Sequence, residues 1–551
     1  MNAMYCYQCE QTTKGTGCVT LGVCGKDPVT AAFQDLLVHA TKGLGQVAHL
    51  ARTRGIRDPS ADRLMLEALF TVVTNVNFDS HDVAGWVREV VAVRRRLYRS
   101  YLGACGEAGV APQEPKGSAT YEPAADVDAL LAQARAIGVL TRKEAIGEDL
   151  LSLESICLFG LMGMAAYAHH ALVLGESDDE VMAFFHASLD KLSRPQSAAD
   201  LTALALAIGA ENVKVMGLLD KANTSAYGDP VPTRVRIEPV RGKAILVSGH
   251  DLKDLYELLE QTEGLGINVY THGEMLPAHG YPGLKRFKHL VGNYGGAWQD
   301  QQAEFNAFPG AILMTTNCIQ KPMIGYNDRI FTSGLVQFPG VRHVGNGKFG
   351  PVIEAALSAK GFESDGADRT VLVGFGRKAL LDAAPAVIEA VKAGQIKRFF
   401  LIGGCDGSKP GRDYFTDLAE SVPQDCVILT LACGKYRFNK LEFGEVAGIP
   451  RLLDVGQCND AYAAAQAAIA LAQAFGTDVN GLPLDFVLSW YEQKAVAVLL
   501  SLFSLNVKGI RLGPSLPAFV SPGVLKVLVD TFGIRPIGDA QGDLQAMLGA
   551  A

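Results

Sequence analysis

Basic excess is the first thing this chain lacks. It sets 50 Lys and Arg against 58 Asp and Glu, for a net charge of −8. Affinity for nucleic acid rests on neutralising phosphates, so the composition gives no support to a general nucleic-acid binder. The opening residues, Met1-Asn2-Ala3-Met4-Tyr5-Cys6, have neither the basic nor the apolar region of a secretory signal. Cysteine is sparse and odd in number, 11 in 551 residues. Without an export signal the expected compartment is the cytoplasm, where clustered cysteines read as metal ligands or catalysts rather than disulfides. Long uncharged runs are scarce as well. Ser155 to Gly175 lacks Asp, Glu, Lys and Arg, but it carries His169-His170 and is bounded by Glu154 and Glu176. A buried core helix accounts for it, and no membrane span is expected. No glycine fingerprint for NAD or flavin follows a strand-like run. What is plentiful is apolar material: 48% hydrophobic against 20% charged residues excludes a disordered chain. At about 150 residues per domain the length suggests three or four domains.

Four of the cysteines crowd the first 24 residues. Cys6, Cys9, Cys18 and Cys24 are spaced C-x2-C-x8-C-x5-C, with Gly15, Gly17, Gly22 and Gly25 around them. Glycines let so short a loop fold back until four thiolates converge. Such a set suits a cubane [4Fe–4S] cluster or a tetrahedral zinc. Zinc ribbons usually show two C-x2-C knuckles, and here the second pair is wider.

Residues 28 to 223 show helical spacing and read as an all-helical domain of two small bundles. One helix is expected to start after a Ser80 cap and to reach a basic end at Arg94-Arg95-Arg96. A Gly/Pro-rich loop, 103–123, follows it, and a later helix is expected to be capped at Ser177. Residues 224–240 have linker composition. Beyond them, short apolar runs alternate with helical stretches, the pattern of βαβ units on mostly parallel sheets. The runs are Lys243–Ser248, Ile267–Tyr270, Ala311–Thr315, Val371–Val373, Arg398–Ile402, Val427–Leu431, Arg451–Val455 and Phe486–Leu488. A polar patch, Glu363–Arg369, divides the region into α/β domains 241–365 and 366–551.

Open parallel sheets bind ligands beyond the carboxyl ends of their strands. After the runs come His250, Glu274, Cys318, Cys405, Cys433, Cys458 and then Glu492 with Lys494. A cysteine after a strand is more often a small buried filler, but recurrence makes the set a candidate site. Thiolate, imidazole and carboxylate together suit a polymetallic iron site with sulfur and oxygen bridges. Cys426, Cys157 and Cys105 break the pattern and read as structural, with Cys426 ahead of its strand, Cys157 inside a helix and Cys105 at a helix–loop boundary.

These residues fall in motifs that resemble the hybrid cluster protein family, also called prismane or hydroxylamine reductase. The motifs are Cys6-Tyr7-Gln8-Cys9-Glu10-Gln11-Thr12, Gly249-His250-Asp251-Leu252, His272-Gly273-Glu274-Met275-Leu276-Pro277-Ala278-His279, Thr316-Asn317-Cys318, Gly403-Gly404-Cys405-Asp406-Gly407, Ala432-Cys433-Gly434-Lys435-Tyr436-Arg437-Phe438-Asn439, Gln457-Cys458-Asn459-Asp460 and Tyr491-Glu492-Gln493-Lys494-Ala495. The resemblance implies a helical N-terminal domain followed by two Rossmann-like domains. It implies a [4Fe–4S] cluster on Cys6, Cys9, Cys18 and Cys24, in the class with tight cysteine spacing. It also implies a hybrid [4Fe–2S–2O] cluster on His250, Glu274, Cys318, Cys405, Cys433, Cys458 and Glu492. Cys405 takes the persulfide position and Lys494 lies beside the cluster.

The activity implied is reduction of hydroxylamine to ammonia and water, with Glu274, Cys405, Glu492 and Lys494 in catalytic roles. Lys494, His272 and His279 are the candidate proton sources. The alternatives are nitric oxide reduction in nitrosative-stress defence, and a nitrosyl-signalling protein that promotes S-nitrosylation of partners. A pure electron carrier needs no mixed-ligand site. Carbon monoxide dehydrogenases share the α/β layout, but the glutamates fit the hybrid cluster better. A separate electron donor is expected, either an iron–sulfur/flavin reductase or a ferredoxin-like protein, and the chain is expected to be a monomer.

Overall fold

The computed structural model describes residues 4–345, 347–407 and 413–549. Met1, Asn2 and Ala3, which belong to the leader reading, lie outside the described residues.

The helical part runs through α1 (Pro28–Arg52), α2 (Pro59–Thr71), α3 (Ser80–Glu107), α4 (Val127–Ile137), α5 (Val139–Ile146), α6 (Glu148–Val173), α7 (Asp179–Leu192) and α8 (Ala198–Tyr227). Short carboxylates write most of its starts. Asp27, Asp58, Asp79, Asp126 and Asp178 each accept first-turn backbone N–H groups. Two starts therefore differ from expectation by one residue. Asp79 rather than Ser80 caps α3, and Asp178 rather than Ser177 caps α7, because each carboxylate satisfies two orphan amides.

A larger correction concerns the end of α3. The Arg94-Arg95-Arg96 run does not end the helix, which continues to Glu107 and shortens the expected loop. Leu97, Tyr101 and Cys105 prolong the buried stripe past the arginines. Arg94 is itself buried and donates to the carbonyls of Ser118 and Tyr121 and to Glu122. The basic run thus clamps the returning chain.

The helices gather into two groups that interleave in sequence. Helix α1 packs on α2, α3, α4 and α7, whereas α6 packs on α2 and α8. Both α6 and α8 are long and apolar enough to cross a membrane, yet the apolar stretch of α6 is 83% buried inside the protein. It is apolar all round because neighbours surround it. The helix Gln493–Ser504, from the far end of the chain, packs on both α6 and α8.

Among the described residues the strands form two six-stranded parallel sheets and two antiparallel pairs. The first sheet comprises β2 (Lys243–Ser248), β3 (Ile267–His272), β4 (Leu290–Asn293), β5 (Ala311–Met314), β6 (Ile330–Thr332) and β7 (Arg342–His343), in the order β4-β3-β2-β5-β6-β7. The second comprises β9 (Arg398–Gly404), β10 (Cys426–Leu431), β13 (Leu452–Gly456), β14 (Leu484–Ser489), β15 (Arg511–Gly513) and β16 (Arg535–Pro536), in the order β13-β10-β9-β14-β15-β16. Counted within each sheet, both orders are 3-2-1-4-5-6, the doubly wound order of a Rossmann-like fold.

The antiparallel pairs are β1 (Thr233–Arg236) with β8 (Thr370–Val373), and β11 (Glu445–Val446) with β12 (Ile449–Pro450). The first pair alters two expectations. The stretch read as linker carries the end of α8 and all of β1. The run Val371–Val373 joins β1 instead of a parallel sheet, with Val235, Val371 and Val373 buried around Leu276. Four residues of apolar β pattern specify a strand but not its partner. Cys426, expected ahead of its strand, is its first residue.

Candidate metal centre

In each sheet the chain turns opposite ways after the two central strands, leaving a crevice at their carboxyl ends. In the first sheet these are β2 and β5, which lead into His250 and Cys318; Glu274 follows β3 next door. In the second they are β9 and β14, which lead into Cys405 and Glu492; Cys433 and Cys458 follow β10 and β13. The two crevices face one another. Gln457 Nε2 donates to the carbonyls of His250 (3.2 Å) and Glu274 (2.8 Å), and Tyr436 Oη donates to that of Gly273 (2.7 Å).

The turns that carry these side chains are strained. Cys318, Asp406 and Ala432 have φ of 81°, 54° and 62°, in the left-handed region that non-glycine residues seldom enter. Such residues persist where surroundings over-determine them, often at functional sites. Before Cys405 only glycine fits, since a Cβ on Gly404 would stand 1.9 Å from the Ser489 carbonyl oxygen.

At the centre, His250, Glu274 and Cys458 are buried and present donor atoms all within 4.8 Å of one another. His250 Nε2 lies 3.3 Å from Glu274 Oε2, and its Nδ1 lies 3.0 Å from Thr316 Oγ1. Glu274 Oε2 also accepts the Cys458 backbone N–H at 2.9 Å. Lys494 Nζ stands 2.9 Å from His250 Nε2, 3.0 Å from Asn317 Oδ1 and 3.6 Å from Glu492 Oε1. Glu492 caps the helix Gln493–Ser504 by accepting the Lys494 N–H at 2.9 Å. Cys405 and Cys433 pack with Trp298, Tyr491 and Cys9, and Cys318 lies against that group.

Burial governs the charges. It pushes the Glu274 carboxyl up, but His250, Lys494 and the Cys458 amide outweigh it and hold the group well below the carboxylate range. Burial opposes charge on Lys494 too, yet the carboxylates of Glu492 and Glu274 hold its ammonium well above the lysine range. Burial drives the thiols of Cys318, Cys405, Cys433 and Cys458 well up. Neutral thiols in such a pocket become good ligands once a metal displaces their protons. Four thiols, one imidazole and two carboxylates aimed at one strained, buried crevice fit a polynuclear iron centre by donor chemistry.

The N-terminal cysteines form a loop of their own. Cys6 and Cys18 exchange backbone hydrogen bonds of 3.0 and 2.8 Å, and buried Lys26 donates to Gln8 Oε1 at 3.2 Å. The loop sits against the crevice. Glu10 N donates to the Tyr491 carbonyl at 3.0 Å, and Gln493 Nε2 donates to the Gln8 carbonyl at 3.2 Å. The rings of Tyr491 and Trp298 lie 4.1 Å apart and pack with Cys9, Cys405 and Cys433 in one buried cluster.

Residues 4–545 match the model of the Prismane/CO dehydrogenase family. The chain belongs to that family. It is 55% identical over 545 residues to a protein of Rhodospirillum rubrum named hydroxylamine reductase, covering 99% of each. A Geobacter metallireducens protein of the same name is 53% identical over 549 residues, covering 99% of this chain and 100% of the relative. Carbon monoxide dehydrogenase IV from Carboxydothermus hydrogenoformans shares the fold, with a TM-score of 0.56 at 15% identity over 96% of this chain and 89% of that one.

In this prismane-family chain the expected residues fall at two places joined by Tyr491 and Trp298. His272 and His279 are held elsewhere: His272 lies 2.9 Å from Ser248 Oγ and 2.8 Å from Glu304 Oε2, and His279 lies 3.0 Å from Thr271 Oγ1. The structure adds Asn317, Gln457, Trp298 and Tyr491 as residues that hold the site together. Asn317, Gln457 and Tyr491 adjoin expected ligands in sequence, which was the available signal. Trp298 comes from a loop after β4, a strand that the run pattern did not mark.

Proposed function

We propose that the chain is a hydroxylamine reductase, converting hydroxylamine, two electrons and two protons to ammonia and water. The observation that carries this reading is the buried convergence of His250, Glu274 and Cys458 beneath Lys494 at two facing crevices. The full-length likeness to proteins named for that activity supports it.

His250, Glu274, Cys318, Cys405, Cys433, Cys458 and Glu492 would hold the hybrid [4Fe–2S–2O] cluster, with Cys405 as its persulfide. Cys6, Cys9, Cys18 and Cys24 would hold the [4Fe–4S] cluster that relays electrons inward. When bound, the hybrid cluster supplies an open iron position for the N–O group and the electrons that cleave it. The chain's own residues do the rest. Lys494 carries a proton at Nζ into a pocket without bulk water, where it offers that proton to the departing oxygen. Asn317 aims that Nζ, and Glu492 fixes the backbone beneath it. Tyr491 and Trp298 fill the gap between the two cysteine sets. A separate donor supplies electrons, and the reducing cytoplasm is the setting.

One observation favours nitric oxide reduction as a second activity. An apolar cavity of about 380 Å³, lined by side chains such as Leu401, Leu431 and Phe486, reaches Cys405 and Cys458. A small apolar reactant partitions into such a space better than hydroxylamine does.

The test is anaerobic purification, iron and sulfide analysis, EPR on a redox-titrated sample, and turnover with each substrate. About eight irons per chain, more iron than sulfide and hydroxylamine turnover are expected. About four irons with a single cubane signal and no turnover would overturn the proposal.

A further inference from the structure

A second cavity lies within the helical part of the chain. It measures about 390 Å³ and is walled by α1, by the junction of α4 with α5, by α6 and by the end of α7, with Cys6 and Gln8 of the cysteine loop also on its walls. Much of the wall is apolar, with Val38, Leu151, Leu158, Phe159 and Leu192 lining it. Helix α1 adds a polar row. Asp35, His39 and Lys42 line the cavity and follow one another at intervals of four and three residues, which puts them on one face of the helix. Thr141 and Ala145 of α5 line the cavity and are exposed, so it opens there to solvent. A space of this size suits a small organic molecule better than a single ion.

The cavity holds more positive charge than its own carboxylates balance. Its cations are Lys26, Lys42, Arg142 and Arg194, and its carboxylates are Asp35 and Glu154. Three of the cations have partners. Glu154 accepts from Arg142 Nε at 3.0 Å and Nη2 at 2.5 Å, Asp190 accepts from Arg194 Nη2 at 2.5 Å, and Lys26 donates to Gln8 Oε1 at 3.2 Å. Lys42 makes neither a hydrogen bond nor an ion pair among the described residues. Asp35 does not serve it, because it lies seven residues, about 10 Å, nearer the start of α1 and accepts the Val139 backbone N–H. Burial pulls the Lys42 ammonium below the ordinary lysine value, although Glu154 works against it. Burial likewise holds His39 neutral, at about 4. Ser118, whose carbonyl lies against Gly43 of α1, lines the same cavity, and its hydroxyl has no partner among the described residues. An ammonium kept from water without a partner is destabilising, and an anion beside it offsets that cost.

We propose that this cavity binds a small organic carboxylate, with its carboxylate paired to Lys42 and its apolar body against walls such as Leu151, Leu158 and Phe159. An inorganic oxyanion would meet Lys42 and leave those walls uncovered. An aliphatic acid and an aromatic acid present the same chemistry here, a single negative charge on an apolar body. The site shares no residue with the strand-end crevices.

The experiment is equilibrium dialysis of the loaded chain against radiolabelled octanoate, phenylacetate, acetate and inorganic phosphate. Octanoate or phenylacetate should bind with a Kd below about 1 mM, and the tighter of the two identifies the body as aliphatic or aromatic. Acetate, which offers the headgroup alone, should bind at least about tenfold more weakly. Lys42→Met should weaken the tighter acid by about tenfold or more. It removes an unpaired charge, so its melting temperature should not fall below the parent's. Leu158→Trp fills the cavity from α6 with Lys42 left in place, and it should weaken that acid comparably; this variant decides the matter if Lys42→Met does not fold. The proposal is overturned if neither octanoate nor phenylacetate binds the parent, or if acetate or phosphate binds as tightly as they do. Undiminished binding to folded Lys42→Met, or to Leu158→Trp, would overturn it too, because the acid would then sit elsewhere.

Discussion

The placing of Lys494 depends on a glycine far away in sequence. A Cβ on Gly163 of α6 would stand 2.3 Å from the carbonyl oxygen of Gln493 and 2.9 Å from Lys494 Cα. Ordinary contact would require a shift of about 1 Å. Helix α6 is enclosed by its neighbours, so the shift falls on the first turn of Gln493–Ser504. Lys494 Nζ sits 3.0 Å from Asn317 Oδ1, and about 1 Å more breaks that hydrogen bond. Gly163→Ala should therefore lower hydroxylamine turnover by about 10²-fold. Overpacking should cost about 1–3 kcal/mol, offset by roughly 1 kcal/mol of helix propensity. Gly209→Ala is the control. Its Cβ would stand 2.1 Å from the Leu500 carbonyl oxygen. Leu500 lies six residues beyond Lys494, roughly 9 Å along the helix. Stability should fall comparably there while turnover drops less than about tenfold. Turnover with reduced methyl viologen and urea unfolding read the two effects. Parental turnover in Gly163→Ala, or equal activity losses at equal stability in both variants, would refute the argument.

Other perturbations test separate links. Lys435 Nζ is hydrogen-bonded to the buried Asp454 carboxylate and to the Gly456 carbonyl at 2.8 Å. Lys435→Met strands that carboxylate and should cost about 3–5 kcal/mol, and a further Asp454→Leu should restore most of it; no recovery in the urea midpoint would sink this account. Burial, against the charges of Lys26 and Lys42, lifts the Asp35 carboxyl from 3.8 to about 7. The folded chain thus binds that proton more tightly than the unfolded chain, so its stabilisation is complete below about pH 4 and lost as pH rises through about 7. Asp35→Asn should flatten that decline in a pH series of melting temperatures, and parallel curves would disprove it. Cys405→Ala should abolish turnover and spare the N-terminal cluster's spectrum, whereas normal activity would remove Cys405 from the site. Cys426→Ala, in the core on β10, should leave turnover and both spectra intact, and a lost signal would make it a ligand.

Reading the strand runs worked where the strands are central. β2, β3, β5, β9, β10 and β14 lie inside their sheets and carry largely apolar runs with the candidate ligands after their carboxyl ends, and the edge strand β13 was marked by Leu452, Leu453 and Val455. Short strands nearer the sheet edges, such as β6, β7, β15 and β16, leave too little pattern to see. The capping errors at Ser80 and Ser177 are local competitions between adjacent polar residues, which geometry decides by one position. The length of α3 was misread because Arg94 looks like a helix end until Glu122 and two carbonyls are found around it.

By itself the sequence determined the candidate ligand types, their grouping into an N-terminal loop and a set of strand ends, and the alternation that makes parallel sheets. These are properties of neighbours along the chain, where spacing and residue type act directly. Tertiary structure alone decided that the two crevices face each other, that Tyr491 and Trp298 join the cysteine loop to them, and that Gly163 and Gly209 admit the helix carrying Lys494. Those contacts join residues hundreds of positions apart, from Gln8 with Gln493 to Gly163 with Lys494. No local pattern encodes them; they follow only when the apolar faces of all the elements are buried together.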